Sequence, residues 1–131
     1  MNKKGFTLIE LLAIIIILGA ISILVTPVIT SVIETAQSSS ATQSAVSYVK
    51  EVNNVILENK VSANRIYDGV YTISDLSTYG VSVNGTKPTG GVVTISNEKV
   101  TDYAISINNY CITSISGNIT TKKGITPSEC K

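Results

Sequence analysis

The amino-terminal quarter of the chain is almost entirely apolar, whereas the remainder mixes short aliphatic clusters with Ser, Thr and Asn. Residues 11–33 carry no charged side chain, and Glu10 is the only charged residue between Lys4 and Glu34. A transmembrane helix needs about 20 predominantly apolar residues. Residues 6–33 therefore have the length and composition of a membrane-spanning helix, with a single carboxylate roughly one turn inside it.

Residues 34–61 are predicted to continue this helix with a different pattern. No Gly or Pro occurs between residues 28 and 61, and apolar residues recur at a spacing of three or four. These residues are Ala45, Val49, Val52 and Ile56, with Tyr48 and Val55 beside them. We expect an amphipathic helix with one face against a sheet. A flexible linker around Ser38–Ser40 is the alternative, because small polar runs are typical of linkers.

Residues 62–131 are predicted to form a small globular region with an antiparallel sheet. Three Val/Ile-rich segments follow one another across short turns, which favours a meander of strands at 91–96, 100–107 and 110–115. The turns are expected at Asn97–Glu98 and Asn108–Asn109. Together with the helix, this predicts an α+β fold with three or four strands.

The secondary structure on either side of these three strands is less clearly indicated by the sequence. An extended piece at 70–73 precedes a helical turn at 74–80, for which Ser74 or Asp75 is the expected N-cap. After a turn at Gly117–Asn118, the tail 119–131 shows no regular pattern of its own.

Composition narrows the chemistry that the chain can perform. The net charge is +1 and no basic stripe is present, which argues against nucleic-acid binding. The chain has no histidine, the commonest general base and metal ligand. Asp68, Asp75 and Asp102 lack the spacing of a calcium-binding loop. We therefore predict no enzyme activity, no cofactor and no metal site.

The two cysteines, Cys111 and Cys130, either form a disulfide or remain free thiols. A membrane helix at the N-terminus would place the rest of the chain outside the cytoplasm, where disulfides persist. We accordingly expect a Cys111–Cys130 disulfide that holds down the C-terminal tail.

Two familiar interpretations of the N-terminus leave Glu10 unexplained. A secretory signal peptide has a basic start, a short apolar core and a small-residue cleavage site. Lys3 and Lys4 fit the basic start, but the apolar run is too long and no such site follows it. A signal anchor fits the run and leaves both lysines in the cytoplasm. Neither interpretation accounts for a carboxylate, which costs roughly 2.5–3.5 kcal/mol at a bilayer centre and less near an interface.

The segment Gly5-Phe6-Thr7-Leu8-Ile9-Glu10, between Lys3-Lys4 and the apolar run, resembles the N-terminus of type IV pilins and pseudopilins. The resemblance implies that prepilin peptidase removes the leader, residues 1–5, by cutting between Gly5 and Phe6. It also implies that the new amino group of Phe6 is N-methylated. Pro27 matches a proline that the family carries in this helix, and the family precedent is a stretch from Gly19 to Pro27 that unwinds during assembly.

The resemblance further implies a pilin-like fold and a structural role. Residues 6–33 would form the membrane and filament-core helix, residues 34–61 its amphipathic half, and residues 62–131 the globular part. The chain would be a precursor in the inner, cytoplasmic membrane and then a homo-oligomeric subunit of a type IV pilus at the cell surface. Its implied partners are prepilin peptidase, an assembly platform and an ATPase.

Glu10 has an expected partner in such a filament. The Phe6 ammonium of one copy can approach the Glu10 carboxylate of a neighbour, and this pair is attractive inside a low-dielectric bundle. Glu10 would then set the axial register of the subunits.

Several functions share this N-terminus. The alternatives are a pseudopilin of a type II secretion or competence DNA-uptake system, a minor pilin, and an anchored binding module that keeps Met1–Gly5. The sequence assigns no contact with external surfaces or DNA.

Overall fold

The structure of the chain, a computed structural model, describes residues 2–131, so Met1 of the predicted leader lies outside the described residues. The described chain divides into two compact units, the first ending at Ala36 and the second comprising Gln37–Lys131. The elements in chain order are α1 (Leu8–Glu58), a short 3-10 turn (Asn59–Val61), β1 (Gly69–Thr72), α2 (Ile73–Thr78), β2 (Gly90–Ser96), β3 (Lys99–Ile107), β4 (Tyr110–Ile115) and β5 (Asn118–Lys123). A long helix with a five-stranded antiparallel sheet is an α+β arrangement consistent with the pilin fold, which confirms the predicted fold class.

The first unit consists mainly of the apolar part of α1. Its large side chains are exposed along the whole length from Leu8 to Ile33, as shown by Leu8 at 86% and Ile23 at 76%. Among the described residues, α1 is the one helix that is long and apolar enough to cross a membrane by length and composition. The helix is continuous through Gly19 and Pro27, so unwinding of this stretch stays a prediction about the assembled state.

The hydroxyl groups of this apolar helix are satisfied within the helix itself. Ser22, Thr26 and Thr30 each donate to the carbonyl oxygen four residues earlier, at 2.8, 2.7 and 3.0 Å. A polar group without a partner is costly in lipid, and these back-bonds remove that cost.

The second part of α1 supplies one wall of the core of the second unit. Its buried residues are Ala41, Ala45, Tyr48, Val52, Val55 and Ile56. The predicted amphipathic helix is therefore confirmed, and the linker interpretation of Ser38–Ser40 is wrong. Small residues near the Ser-rich stretch allow this face to approach the sheet, and Thr42 Oγ1 lies 2.9 Å from Thr121 Oγ1 on β5.

The sheet is a meander in which each strand pairs antiparallel with the next, in the order β1-β2-β3-β4-β5. The prediction of three or four strands is wrong: β1 lies on the extended piece predicted at 70–73, and β5 is an additional edge strand that was not predicted. β5 has no buried residue, and its sequence, rich in Thr and Lys, does not alternate between apolar and polar residues as a half-buried strand does. The tail from residue 119 is therefore regular as far as Lys123, where it pairs with Tyr110.

Local hydrogen bonds correct three predicted boundaries. The N-cap of α2 is Thr72, not Ser74 or Asp75, because Thr72 and Asp75 form a reciprocal capping box. The last hairpin turns at Ser116 and Gly117, both at positive φ, and not at Gly117–Asn118. The α-helix ends at Glu58 and continues to Val61 only as the 3-10 turn.

The outer face of the sheet has a small core of its own. Cys111 and Cys130 form the expected disulfide, which packs with Ala104, Val92 and Ile125. A Cβ atom placed on Gly90 in β2 would lie 2.8 Å from the Cβ of Pro127 in the C-terminal tail. The C-terminal tail thus covers this part of the sheet at close range and is held there covalently.

A charged network ties the segment before β1 to the β2–β3 turn. Both carboxylate oxygens of Asp68 accept backbone N–H groups of the turn, from Asn97 at 2.9 Å and from Glu98 at 3.2 Å. The Glu98 side chain in turn pairs with Lys60 and Arg65, each at 2.6 Å. These contacts support a turn whose two residues both have positive φ.

We predict that replacing both cysteines, as Cys111→Ser with Cys130→Ser, destabilises the second unit by about 3 kcal/mol, because the disulfide no longer restricts the unfolded chain. Urea unfolding of the full chain in detergent, followed by tyrosine fluorescence, measures the change. Chemical reduction of the wild-type chain should reproduce it. An unchanged midpoint in both experiments would show that the disulfide contributes nothing to stability.

We also predict that the second unit loses stability in acid through Asp68 and Glu98. The hydrogen bond from the Asn97 N–H, followed by that from Glu98, holds the pKa of Asp68 below its usual value. The hydrogen bond and charge of Lys60, with the charge of Arg65, do the same for the pKa of Glu98. A depressed carboxylate pKa stabilises the fold above the unfolded value, about 4. That contribution disappears as the pH falls below 4 through the folded pKa.

The Asp68→Asn variant should be less stable than wild type at neutral pH, and the difference should shrink as the pH falls below about 4. Unfolding midpoints measured across this range test the prediction. A difference that stays constant with pH would contradict it.

Candidate processing and assembly site

The predicted cleavage position lies in an exposed segment without regular structure. Residues 2–7 precede the first helical residue, Leu8, and all of them are exposed. The Phe6 side chain is 85% exposed, and a Cβ atom placed on Gly5 would meet no other atom within 4 Å. A protease can therefore reach the Gly5–Phe6 bond without unfolding α1.

Thr7 and Glu10 form a capping box at the start of α1. Glu10 Oε2 accepts from the Thr7 backbone N–H at 2.8 Å and from Thr7 Oγ1 at 2.9 Å. In return the Glu10 N–H donates to Thr7 Oγ1 at 3.3 Å. Two of the backbone donors that a helix leaves unpaired at its N-terminus are satisfied in this way.

The capping box also gives Glu10 a favourable electrostatic position. A carboxylate in the first turn interacts well with the partial positive charge at the helix N-terminus. The Thr7 contacts use Oε2, and among residues 2–131 no contact is found for Oε1. Glu10 thus has one oxygen in hydrogen bonds with its own chain and a second oxygen that can still accept a hydrogen bond.

The structure brings some predicted site residues together and not others. Gly5, Phe6 and Glu10 lie close together in the chain around the start of α1. Gly19 and Pro27 lie farther along the same helix, and the Cys111–Cys130 disulfide belongs to the second unit. Thr7 was missed as a functional residue, although the Thr-x-x-Glu spacing before an apolar run is the sequence signature of a capping box.

Two glycines of this unit have no internal structural requirement. A Cβ atom added to Gly5 or to Gly19 would meet no other atom within 4 Å, and neither glycine has a positive φ. Glycine inside a helix costs roughly 0.5–1 kcal/mol relative to alanine. The fold of the chain itself therefore does not require glycine at either position.

Comparison with known families identifies this same segment. Residues 1–26 match the family model described as prokaryotic N-terminal methylation motif. This motif is the prepilin leader of type IV pilins and pseudopilins, and it supports a type IV pilin-like precursor in general. Together with the apolar helix, it indicates a membrane-anchored precursor that prepilin peptidase processes. Comparisons with curated proteins and with solved structures find no match.

We predict that Thr7→Val frays the first turn of α1, because the variant keeps the size of the side chain but removes the capping oxygen. The expected loss is about 1 kcal/mol, or roughly a fivefold increase in amide exchange at positions 7 and 10. Hydrogen exchange of the full chain in detergent micelles measures it. Glu10→Gln is the matched control, since glutamine also serves in a capping box. Equal exchange in wild type and Thr7→Val would refute the cap.

Proposed function

We propose that the chain is the structural subunit of a type IV pilus. It is made as a precursor in the cytoplasmic membrane and cut between Gly5 and Phe6. It is then methylated at the Phe6 amino group and polymerised into a surface filament. The observation that carries the proposal is the single carboxylate, Glu10, capped at the start of a long apolar helix whose side chains the chain leaves exposed.

The exposed helix supports assembly because its surface requires a partner. A side chain such as Leu or Ile gains about 1.5–3 kcal/mol when it leaves water. Lipid covers residues 6–33 in the precursor, and the helices of other subunits cover them in the filament. Gly19 offers a position at which a neighbouring helix can approach closely.

Glu10 supports a defined register within that packing. Cleavage would create an ammonium group at Phe6, one residue before the cap residue Thr7. The Oε1 atom of Glu10 can then accept from the Phe6 ammonium of an adjacent subunit while Oε2 stays with Thr7. Only one axial offset between neighbours places the two charges together, so the pair selects that offset.

The remaining segments have corresponding roles in this proposal. The amphipathic half, residues 34–61, joins the core helix to the globular part, residues 62–131, which faces outward. The stretch from Gly19 to Pro27 is where the helix unwinds on assembly, because Pro27 supplies no N–H to the carbonyl of Ile23. An assembly platform and an ATPase outside this chain supply the work of extrusion.

Two variants of Glu10 separate its charge from its capping role. Glu10→Gln keeps the capping box and removes the charge, whereas Glu10→Ala removes both. If the Phe6–Glu10 ion pair sets the register, we expect both variants to be processed normally and both to lose surface filaments. Electron microscopy of sheared fibres, with mass spectrometry of the subunit, measures filament yield and processing together. Normal filaments from Glu10→Gln would show that capping, not charge, is required.

The same preparation distinguishes the pilus from a pseudopilin. A pilus subunit yields long extracellular fibres composed of the chain from Phe6 to Lys131. A processed and methylated subunit without such fibres favours a pseudopilin of a secretion or DNA-uptake system. An unprocessed chain retaining Met1–Gly5 would contradict both.

A further inference from the structure

Two dipeptides in the chain have Asn or Asp followed by Gly, and they lie in different structural environments. Asn84–Gly85 lies in the loop between α2 and β2, and Asp68–Gly69 lies at the start of β1. Such dipeptides can rearrange spontaneously through a five-membered succinimide ring, because glycine leaves its backbone nitrogen unobstructed. We propose that Asn84 is a site of spontaneous deamidation in the folded protein and that Asp68 is protected by its hydrogen bonds.

The reaction needs only water as a co-reactant. The backbone nitrogen of Gly85 loses its proton and attacks the side-chain carbonyl carbon of Asn84. A new C–N bond forms, the bond to the side-chain nitrogen breaks, and ammonia leaves. Water then opens the ring at either carbonyl, giving aspartate or isoaspartate. No oxidant or reductant is required, because no electrons are gained or lost overall.

The loop around Asn84 leaves this reaction free to proceed. Residues 84–87 belong to no helix or strand, and both Asn84 and Gly85 are exposed. In the part of the chain that the structure describes, the Asn84 side chain and the Gly85 N–H have no hydrogen-bond partner. Gly85 has φ +119°, and no atom lies within 4 Å of the position that a Cβ would take. Neither packing nor hydrogen bonding therefore holds the two reacting groups apart.

Asp68–Gly69 lacks that freedom on both sides of the dipeptide. The Asp68 oxygens are each occupied by a backbone N–H of the β2–β3 turn, at 2.9 and 3.2 Å. Gly69 is fixed in β1, opposite Ile95 of β2. The hydrogen bonds also lower the pKa of Asp68, and an ionised carboxylate is a poor target for a nucleophile.

Conversion of Asn84 changes the surface of the chain in two ways. The new carboxylate takes the formal net charge from +1 to zero. The isoaspartate product also routes the backbone through the side chain, which lengthens the loop next to Lys87. Asn84 is the only asparagine that precedes a glycine, so the change is confined to this loop.

The test is incubation of the purified full chain in detergent, in water enriched in oxygen-18 at neutral pH, followed by peptide mapping. Ring opening incorporates one heavy oxygen at the reacting residue, which separates it from deamidation during digestion. We expect the Asn84 peptide to acquire label several-fold faster than the Asp68 peptide, and faster as the pH is raised. Absence of label at Asn84 in the folded chain would overturn the proposal.

Three variants provide matched controls. Asn84→Gln and Gly85→Ala should each abolish or strongly slow labelling in this loop. Asp68→Asn places asparagine before Gly69, so both positions then have the same dipeptide. The variant keeps one of the two acceptor oxygens, and Gly69 remains paired with Ile95 in the sheet. In the folded chain we expect position 84 to react several-fold faster, and in urea we expect the two to react alike. Equal rates in the folded chain would show that the structure does not govern the choice of site.

Discussion

The constraint on which this molecule depends is the apolar surface of the first half of α1. Its Leu, Ile and Val side chains are exposed along the helix from Leu8 to Ile33, and no segment among residues 2–131 buries them. An uninterrupted surface of this kind must be covered by lipid or by other protein. The capping box at Thr7 begins this helix and gives the carboxylate of Glu10 a hydrogen-bonding partner within its own chain. In the proposed function, membrane insertion and filament assembly would therefore use the same apolar surface of α1 one after the other.

The second unit is small, so its hydrophobic core alone provides limited stability. One face of α1, from Ala41 to Ile56, packs with the inner face of the sheet and forms the principal core. The outer face has the small cluster around the disulfide, and Gly90 permits the close approach of the tail at Pro127. The network of Asp68 and Glu98 adds polar contacts where the core ends. The disulfide and the charged network of Asp68 and Glu98 therefore add stability to a domain that buries little apolar surface.

The sequence predicted the features that have strong periodicity and missed those that depend on local hydrogen bonds. The amphipathic spacing from Ala45 to Ile56 located the buried helix face, and the aliphatic strands β2 to β4 were placed within one residue of their bounds. β5 was missed because an exposed edge strand has no buried face, so its sequence lacks the alternation of apolar residues that indicates a strand. The cap residues Thr7 and Thr72 were missed although their spacing to Glu10 and Asp75 was visible. The pairing of Asp68 with a turn some 30 residues away follows from tertiary structure alone.

The two edges of the sheet restrict how the protein can self-associate. An open edge strand offers unpaired backbone groups on which strands from other copies can add, and that route leads to cross-β aggregates. Here β1 has four residues, and β5 ends in Lys122 and Lys123, whose positive charges disfavour stacking of like strands. Both features disfavour amyloid-like growth through the edges of the sheet. In the proposed filament, polymerisation would instead use the helix, where contacts form and separate without rebuilding the backbone hydrogen bonds of the sheet.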